Sequence, residues 1–241
     1  MADRPIIHQY QVSPFSAKVR RVMYYKGQDF DVVNYGLSGA GKIKKLNARG
    51  KAPILEHNGQ LIADSTDIID YLETLHPEKP VIPSVPLQKA QAHVLEDWAD
   101  ESLYFYDLTM RSWPNNAGLL ADDLLLEDKG LFAALLRPLI PKILNKQASA
   151  QGIGRKEHDA ICSEVEIHFN AINNLISQTG WLVGDTLSIA DIAVVSMCTV
   201  LARAEEANAM MQARPAIMTW RENVDALTLP ENTADDMKAL I

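Results

Sequence analysis

In the first eighty residues the apolar positions switch between two periods. "PIIHQY" (5–10) reads as a strand, and Ser16 to Lys26 repeats at helical spacing until Gly27 stops it. The valine-rich "DFDVVNY" (29–35) predicts a second strand. The polar, glycine-bearing stretch "GLSGAGKIKKLNARGK" (36–51) reads as loop with room for a helical turn. "APILEHNGQLIA" (52–63) predicts two strands joined at Asn58-Gly59, a dipeptide suited to a two-residue hairpin turn. "DSTDIIDYLETLH" (64–76) carries apolar residues at helical spacing and ends before Pro77.

Four prolines in "PEKPVIPSVP" (77–86) mark a linker. Beyond it the pattern is helical throughout. One long helix is predicted from Leu87 to Trp113, others over 157–177 and 187–206, and a last one opened by Pro215. The order βαβ, loop, ββα followed by helices is a thioredoxin-like unit joined to an all-helical one. The expected fold class is α/β plus all-α, with boundaries at 1–78, 79–87 and 88–241.

Composition narrows the function classes. The chain has 241 residues, 47% hydrophobic and 22% charged, which is ordinary globular composition. Its net charge of -8 speaks against a general binder of nucleic acid or anionic membrane. No apolar run approaches the length of a membrane span, and "MADRPIIHQY" lacks a signal-peptide core. Cys162 and Cys198 stand far apart with no metal spacing, so a zinc site or disulfide framework is not expected and a reducing, cytoplasmic setting is.

Chemistry concentrates at helix starts. Ser13-Pro14 opens the first helix, where serine caps and proline suits the first helical position, or the hydroxyl faces a substrate. Asp64-Ser65 opens another and is either a cap or an anion site. Ser188 and Asp191 have the spacing of a capping box, a structural role. Lys44 and Lys45 read as solvated loop residues. Tyr104, Tyr106, Met110, Arg111 and Trp113 read as core, dimer or pocket contacts.

Three segments, "SPFSAKVR", "GKAPILEHNGQLIADS" and "LSIADIAV", stand in this order across the whole architecture. Together they resemble the cytosolic glutathione transferases, and the first resembles the serine-type members, tau-like and zeta-like. "QGIGR" (151–155) is also similar to the metaxin-like and failed-axon-connections-like branch.

The resemblance implies a glutathione transferase: glutathione as co-substrate, a small hydrophobic electrophile, no metal, no nucleic acid or membrane partner, and a homodimer. It makes Ser13 the catalytic residue, both cap and hydroxyl donor to the thiolate of glutathione. Tyr10, at the end of the first strand, is the competing hydroxyl, whereas Ser16 is a first-turn helix residue. A serine at position 13 cannot form a mixed disulfide, which argues against thiol-disulfide exchange. Lys51 is implied at the glycine carboxylate, Ala52 before a cis Pro53 at the peptide backbone, and Asp64 and Ser65 at the γ-glutamyl end. The alternatives on this scaffold are a binding module without turnover, and an isomerase or etherase that uses glutathione as a cofactor.

Overall fold

The computed structural model describes residues 4–230. Four strands, β1 (Ile6–Gln9), β2 (Asp31–Asn34), β3 (Ile54–His57) and β4 (Gln60–Ala63), form one sheet in the order β2-β1-β3-β4. β1 and β2 are parallel, which requires a crossover between them. Helix α1 (Pro14–Lys26) provides it and ends at Gly27, whose φ of 70° is the left-handed cap that glycine adopts freely. β1 pairs antiparallel with β3, and β3 with β4. Asn58 and Gly59 both have positive φ, 51° and 73°, as their tight turn demands.

The loop reading of 36–51 is corrected: it holds a 3₁₀ turn (Leu37–Gly39) and a short helix, α2 (Ala40–Leu46). The one fully buried apolar anchor of α2 is Ile43, and one position in seven shows no readable period. After the hairpin comes α3 (Ser65–Leu75). The proline-rich segment that follows is pinned down. Val81 accepts from the Ile189 backbone N–H at 2.8 Å and donates to Glu73 at 3.0 Å.

The predicted helix Leu87–Trp113 is three pieces on one course. They are α4 (Pro86–Trp98), a π-helical turn (Ala99–Leu103) and α5 (Tyr104–Arg111). Further helices that the periodicity does not announce come next: α6 (Ala117–Leu124), α7 (Gly130–Leu136) and α8 (Ile140–Gln151). The predicted helices then appear as α9 (His158–Ile176), α10 (Ile189–Leu201) and, after the unannounced α11 (Glu205–Gln212), α12 (Pro215–Thr228).

Every residue of α10 is buried, so it is the axle of the core. Its capping box is formed: the Asp191 carboxylate accepts from the Ser188 N–H at 3.0 Å and hydroxyl at 2.8 Å. The same carboxylate accepts from the Leu182 N–H and the Trp220 indole. α1 packs against α10, α3 and α12, and its basic side chains are buried rather than solvated. Lys18 pairs with Glu96 and Asp100, Arg21 with Asp225, and Lys26 with Glu73. Breaking such a buried pair strands a charge, at about 3–5 kcal/mol.

Candidate functional site

Between the sheet half and the helical half lies a cavity of about 860 Å³. Ser13, Lys51, Ala52, Pro53, Asp64 and Ser65 all line it, as does Tyr10. Residues from three separate stretches of the sequence thus meet at one place.

Ser13 occupies the N-cap position of α1, with extended φ and ψ of -74° and 125°. Its hydroxyl makes no capping hydrogen bond, which corrects the expectation that it caps as well. Pro14 follows at the first helical position, where its missing N–H costs nothing. The hydroxyl is therefore uncommitted at the positive end of a helix dipole. Tyr10 is a weaker acid than an ordinary phenol, because burial, and then the charge of Asp128, raise its pKa. Ser16 is fully buried in α1 and lies outside the cavity lining.

The Ala52-Pro53 bond is cis, immediately before β3. Lys51 is presented by a turn that hydrophobic periodicity does not announce. Asn47 Oδ1 accepts from the Arg49 N–H at 3.0 Å, and Asn47 Nδ2 donates to the Lys51 carbonyl at 3.1 Å. Asn-Ala-Arg-Gly is the available signal, since asparagine bonds its own backbone two residues on and Gly50 supplies a φ of 66°. Arg49 joins Lys51 on the cavity wall, whereas Lys44 and Lys45 do not line it.

Asp64 caps α3, accepting from the Thr66 N–H at 3.0 Å. It stands at φ 96°, a region that side-chain-bearing residues rarely occupy and that costs roughly 1–3 kcal/mol. Ser65 is buried at the first position of the helix. This end of α3 is tied to α4, because Glu96 accepts from the Thr66 hydroxyl at 3.0 Å and from Lys18 at 2.9 Å.

α4 and the π-helical turn add an acidic flank that no sequence motif announces: Glu96, Asp97, Asp100 and Glu101. Asp100 is raised to about 6 by burial, against the pull of Lys18 at 2.5 Å. The π-turn inserts an extra residue into the helix and so re-aims these side chains, a device common at functional sites. Of the aromatics on this helix, Tyr104 and Phe105 line the cavity, and Tyr104 is in edge contact with Phe15 at 5.0 Å. Burial, and then Asp107, push its phenol up to about 12. Tyr106 and Met110 are buried in the chain's own core, and Trp113 stacks on His158. Among the described residues no group of three or more His, Cys, Asp or Glu is placed to hold a metal ion, and no helix is long and apolar enough to cross a membrane.

Residues 7–80 match the glutathione S-transferase N-terminal domain, and residues 131–227 match the glutathione S-transferase C-terminal domain. The chain belongs to the glutathione S-transferase superfamily. A probable maleylacetoacetate isomerase of Caenorhabditis elegans is 32% identical over 39% of this chain and 45% of its own length. Glutathione S-transferase U22 of Arabidopsis thaliana is 31% identical over 43% of this chain and 49% of its own. The chain thus spans about half the length of these two relatives. Protein LigF of Sphingobium sp. is 25% identical over 88% of this chain and 85% of its own. The crystal structure of beta-etherase LigF superposes with a TM-score of 0.68, at 21% identity, over 93% of this chain and 96% of that one. A transferase half of the sheet type and a helical half are therefore both in place, and the cavity lies where they meet.

Proposed function

We propose that this superfamily member is a glutathione-dependent transferase in which Ser13 holds the glutathione sulfur as a thiolate for attack on an apolar electrophile. The observation that carries the reading is the uncommitted Ser13 hydroxyl at the start of α1, in one cavity with Lys51, Ala52, Asp64 and Ser65. Glutathione brings two carboxylates and an ammonium. Lys51, with Arg49 beside it, suits the glycine carboxylate. The backbone of Ala52 suits the peptide. The Ser65 end of α3 suits the γ-glutamyl carboxylate, and Asp64 with the acidic flank suits the ammonium.

The chemistry follows from the thiol. Free in water it ionises at a pH of about 8.5, and only the thiolate is a strong nucleophile. A hydroxyl donor and a helix N-terminus both favour the charged form. The sulfur then bonds to the electrophilic carbon, the leaving group departs with its electron pair, and the thiol proton passes to solvent. Leu108, Leu120, Leu124 and Leu144 give the adjoining chamber the apolar wall that such an acceptor needs. The test is glutathione consumption across a panel of aryl halides and benzyl halides, with wild type against Ser13→Ala. Turnover that depends on Ser13 supports the reading, and consumption no faster than the uncatalysed rate rejects it.

The match to LigF over 88% of the chain favours a second reading, glutathione-dependent ether cleavage. In that reaction the C–S bond forms as the C–O bond breaks, and the phenoxide leaves with the electron pair and takes up a proton. An aryl ether with a fluorescent phenol as leaving group distinguishes the two. We further propose a cytoplasmic homodimer. Leu87 and Val94, seven residues apart on one face of α4, are each 68% exposed and fit a partner surface.

A further inference from the structure

The helical wall of the cavity carries polar groups that an apolar electrophile does not need. Tyr104, Asp107, Arg111 and Gln147 stand among its leucines. Asp107 and Arg111 are one helical turn apart on α5, with side chains only 3% and 5% exposed. Each leaves a buried polar atom without a hydrogen-bond partner, Oδ1 on Asp107 and Nε on Arg111. Arg111 Nη1 lies 3.8 Å from Asp107 Oδ1, beyond hydrogen-bond range. The far side of Arg111 is occupied, since its Nη2 donates to Asp123 at 2.5 Å. Both residues line the cavity, so a carboxylate and a guanidinium that the fold does not saturate lie one helical turn apart on its wall. A ligand group that donates to the carboxylate and accepts from the guanidinium is therefore favoured there.

Charge decides which ligand. Asp123 also takes both guanidinium contacts of Arg203, so two arginines face two aspartates and the cluster is balanced. An anionic group would find no uncompensated positive charge there. A hydroxyl donates and accepts at once, and it is neutral.

We propose that this chamber recognises an apolar substrate bearing a hydroxyl group, which donates to Asp107 and accepts from Arg111. The inference rests on the reading of the cavity as a glutathione-dependent active site and names the class of its second substrate. It makes Asp107 and Arg111 specificity-determining residues. Asp107 is raised to about 6 by burial, so above that pH its carboxylate is an acceptor.

The experiment compares two electrophiles that differ by one hydroxyl, 4-(hydroxymethyl)benzyl chloride and 4-methylbenzyl chloride, with glutathione. In both, the C–S bond forms as the C–Cl bond breaks, chloride leaves with the electron pair, and the thiol proton goes to solvent. After division by the uncatalysed rates, wild type should prefer the hydroxylated compound in kcat/KM by about tenfold or more, as expected where a site is built to hydrogen-bond a substrate hydroxyl. The ratio should fall toward unity in Asp107→Leu, which removes the acceptor at similar volume. Equal turnover of the two compounds by wild type overturns the proposal and leaves the transferase reading standing. No turnover of either overturns the transferase reading, and the proposal with it. A preference that survives Asp107→Leu unchanged overturns the assignment of the hydroxyl to Asp107.

Discussion

The Asp128 carboxylate, from the helical half, accepts a hydrogen bond from the Leu37 backbone N–H at 2.6 Å. It also takes the Ser38 N–H at 3.2 Å and the Ser38 hydroxyl. One side chain thus closes the first turn of the 36–40 segment and fixes it to the other half of the chain, beside the cavity that Leu37 lines. Gly36 is required there, because a Cβ would come within 2.5 Å of that carboxylate.

Asp128→Ala removes an acceptor from two backbone donors, and chemical denaturation should show a loss of about 1–3 kcal/mol. The variant carries a second signature. The charge of Asp128 opposes ionisation of Tyr10, so its removal should lower the Tyr10 phenol pKa. Ultraviolet titration of tyrosinate, with Tyr10→Phe as the reference, measures that shift. An unmoved Tyr10 titration would mean that the two groups do not share a field.

Much of this fold is legible from the sequence. Each β element carries valine or isoleucine between turn residues, and Asn58-Gly59 announces its own turn. What is hidden has no period to read. α2 is seven residues long with one buried anchor, and α7 is also seven residues, with no fully buried residue. The acidic flank is hidden for another reason. Its placement depends on a π-turn, and Ala99–Leu103 contains neither proline nor glycine to mark one. Of the six site residues expected, all reach the cavity, because helix starts and the X-Pro bond before β3 are local features. Of the polar pair on α5, Arg111 is among the residues read from the sequence as core, dimer or pocket contacts, whereas Asp107 is missed, since it looks like the exposed half of an ion pair at helical spacing.

Asp64 and Ser65 should govern binding more than chemistry, because their proposed contacts are remote from sulfur. Ser65→Ala should weaken glutathione binding several-fold with kcat little changed. Asp64→Asn keeps the side-chain acceptor for the Thr66 N–H while losing the charge. A calorimetric Kd that rises in both variants supports the ligand role. An unchanged Kd in both, with a lowered Tm, would reduce the pair to helix capping.

Folding stability should carry the mark of Asp107. Its carboxyl is raised from the ordinary 3.8 to about 6, with burial as the main cause. A raised acid binds its proton more tightly in the folded chain. Its contribution is therefore complete below about 4 and is lost as pH climbs through about 6. Relative to Asp107→Asn, wild type should lose up to about 3 kcal/mol of stability between pH 4 and pH 7. Denaturation of both proteins at the two pH values checks this, and a difference independent of pH would show that Asp107 titrates normally.

Light scattering at micromolar concentration should give twice the 26.7 kDa of one chain. Replacing Val94, an exposed residue on α4, with aspartate should shift the mass toward the monomer if that face is the interface. A wild-type mass near that of one chain would end the homodimer proposal.

The activation of the thiol itself is the central claim, and the ultraviolet absorbance of the thiolate reports it without any choice of electrophile. Glutathione bound to wild type, titrated with Tyr10→Phe and Ser13→Ala in parallel, should ionise at least about one unit below the roughly 8.5 of a free thiol. The lowered midpoint should persist in Tyr10→Phe and return toward about 8.5 in Ser13→Ala, a change of roughly 1.5–3 kcal/mol for one charge-assisted hydrogen bond. A midpoint that stays low in Ser13→Ala, or one that was never lowered in wild type, would contradict the account.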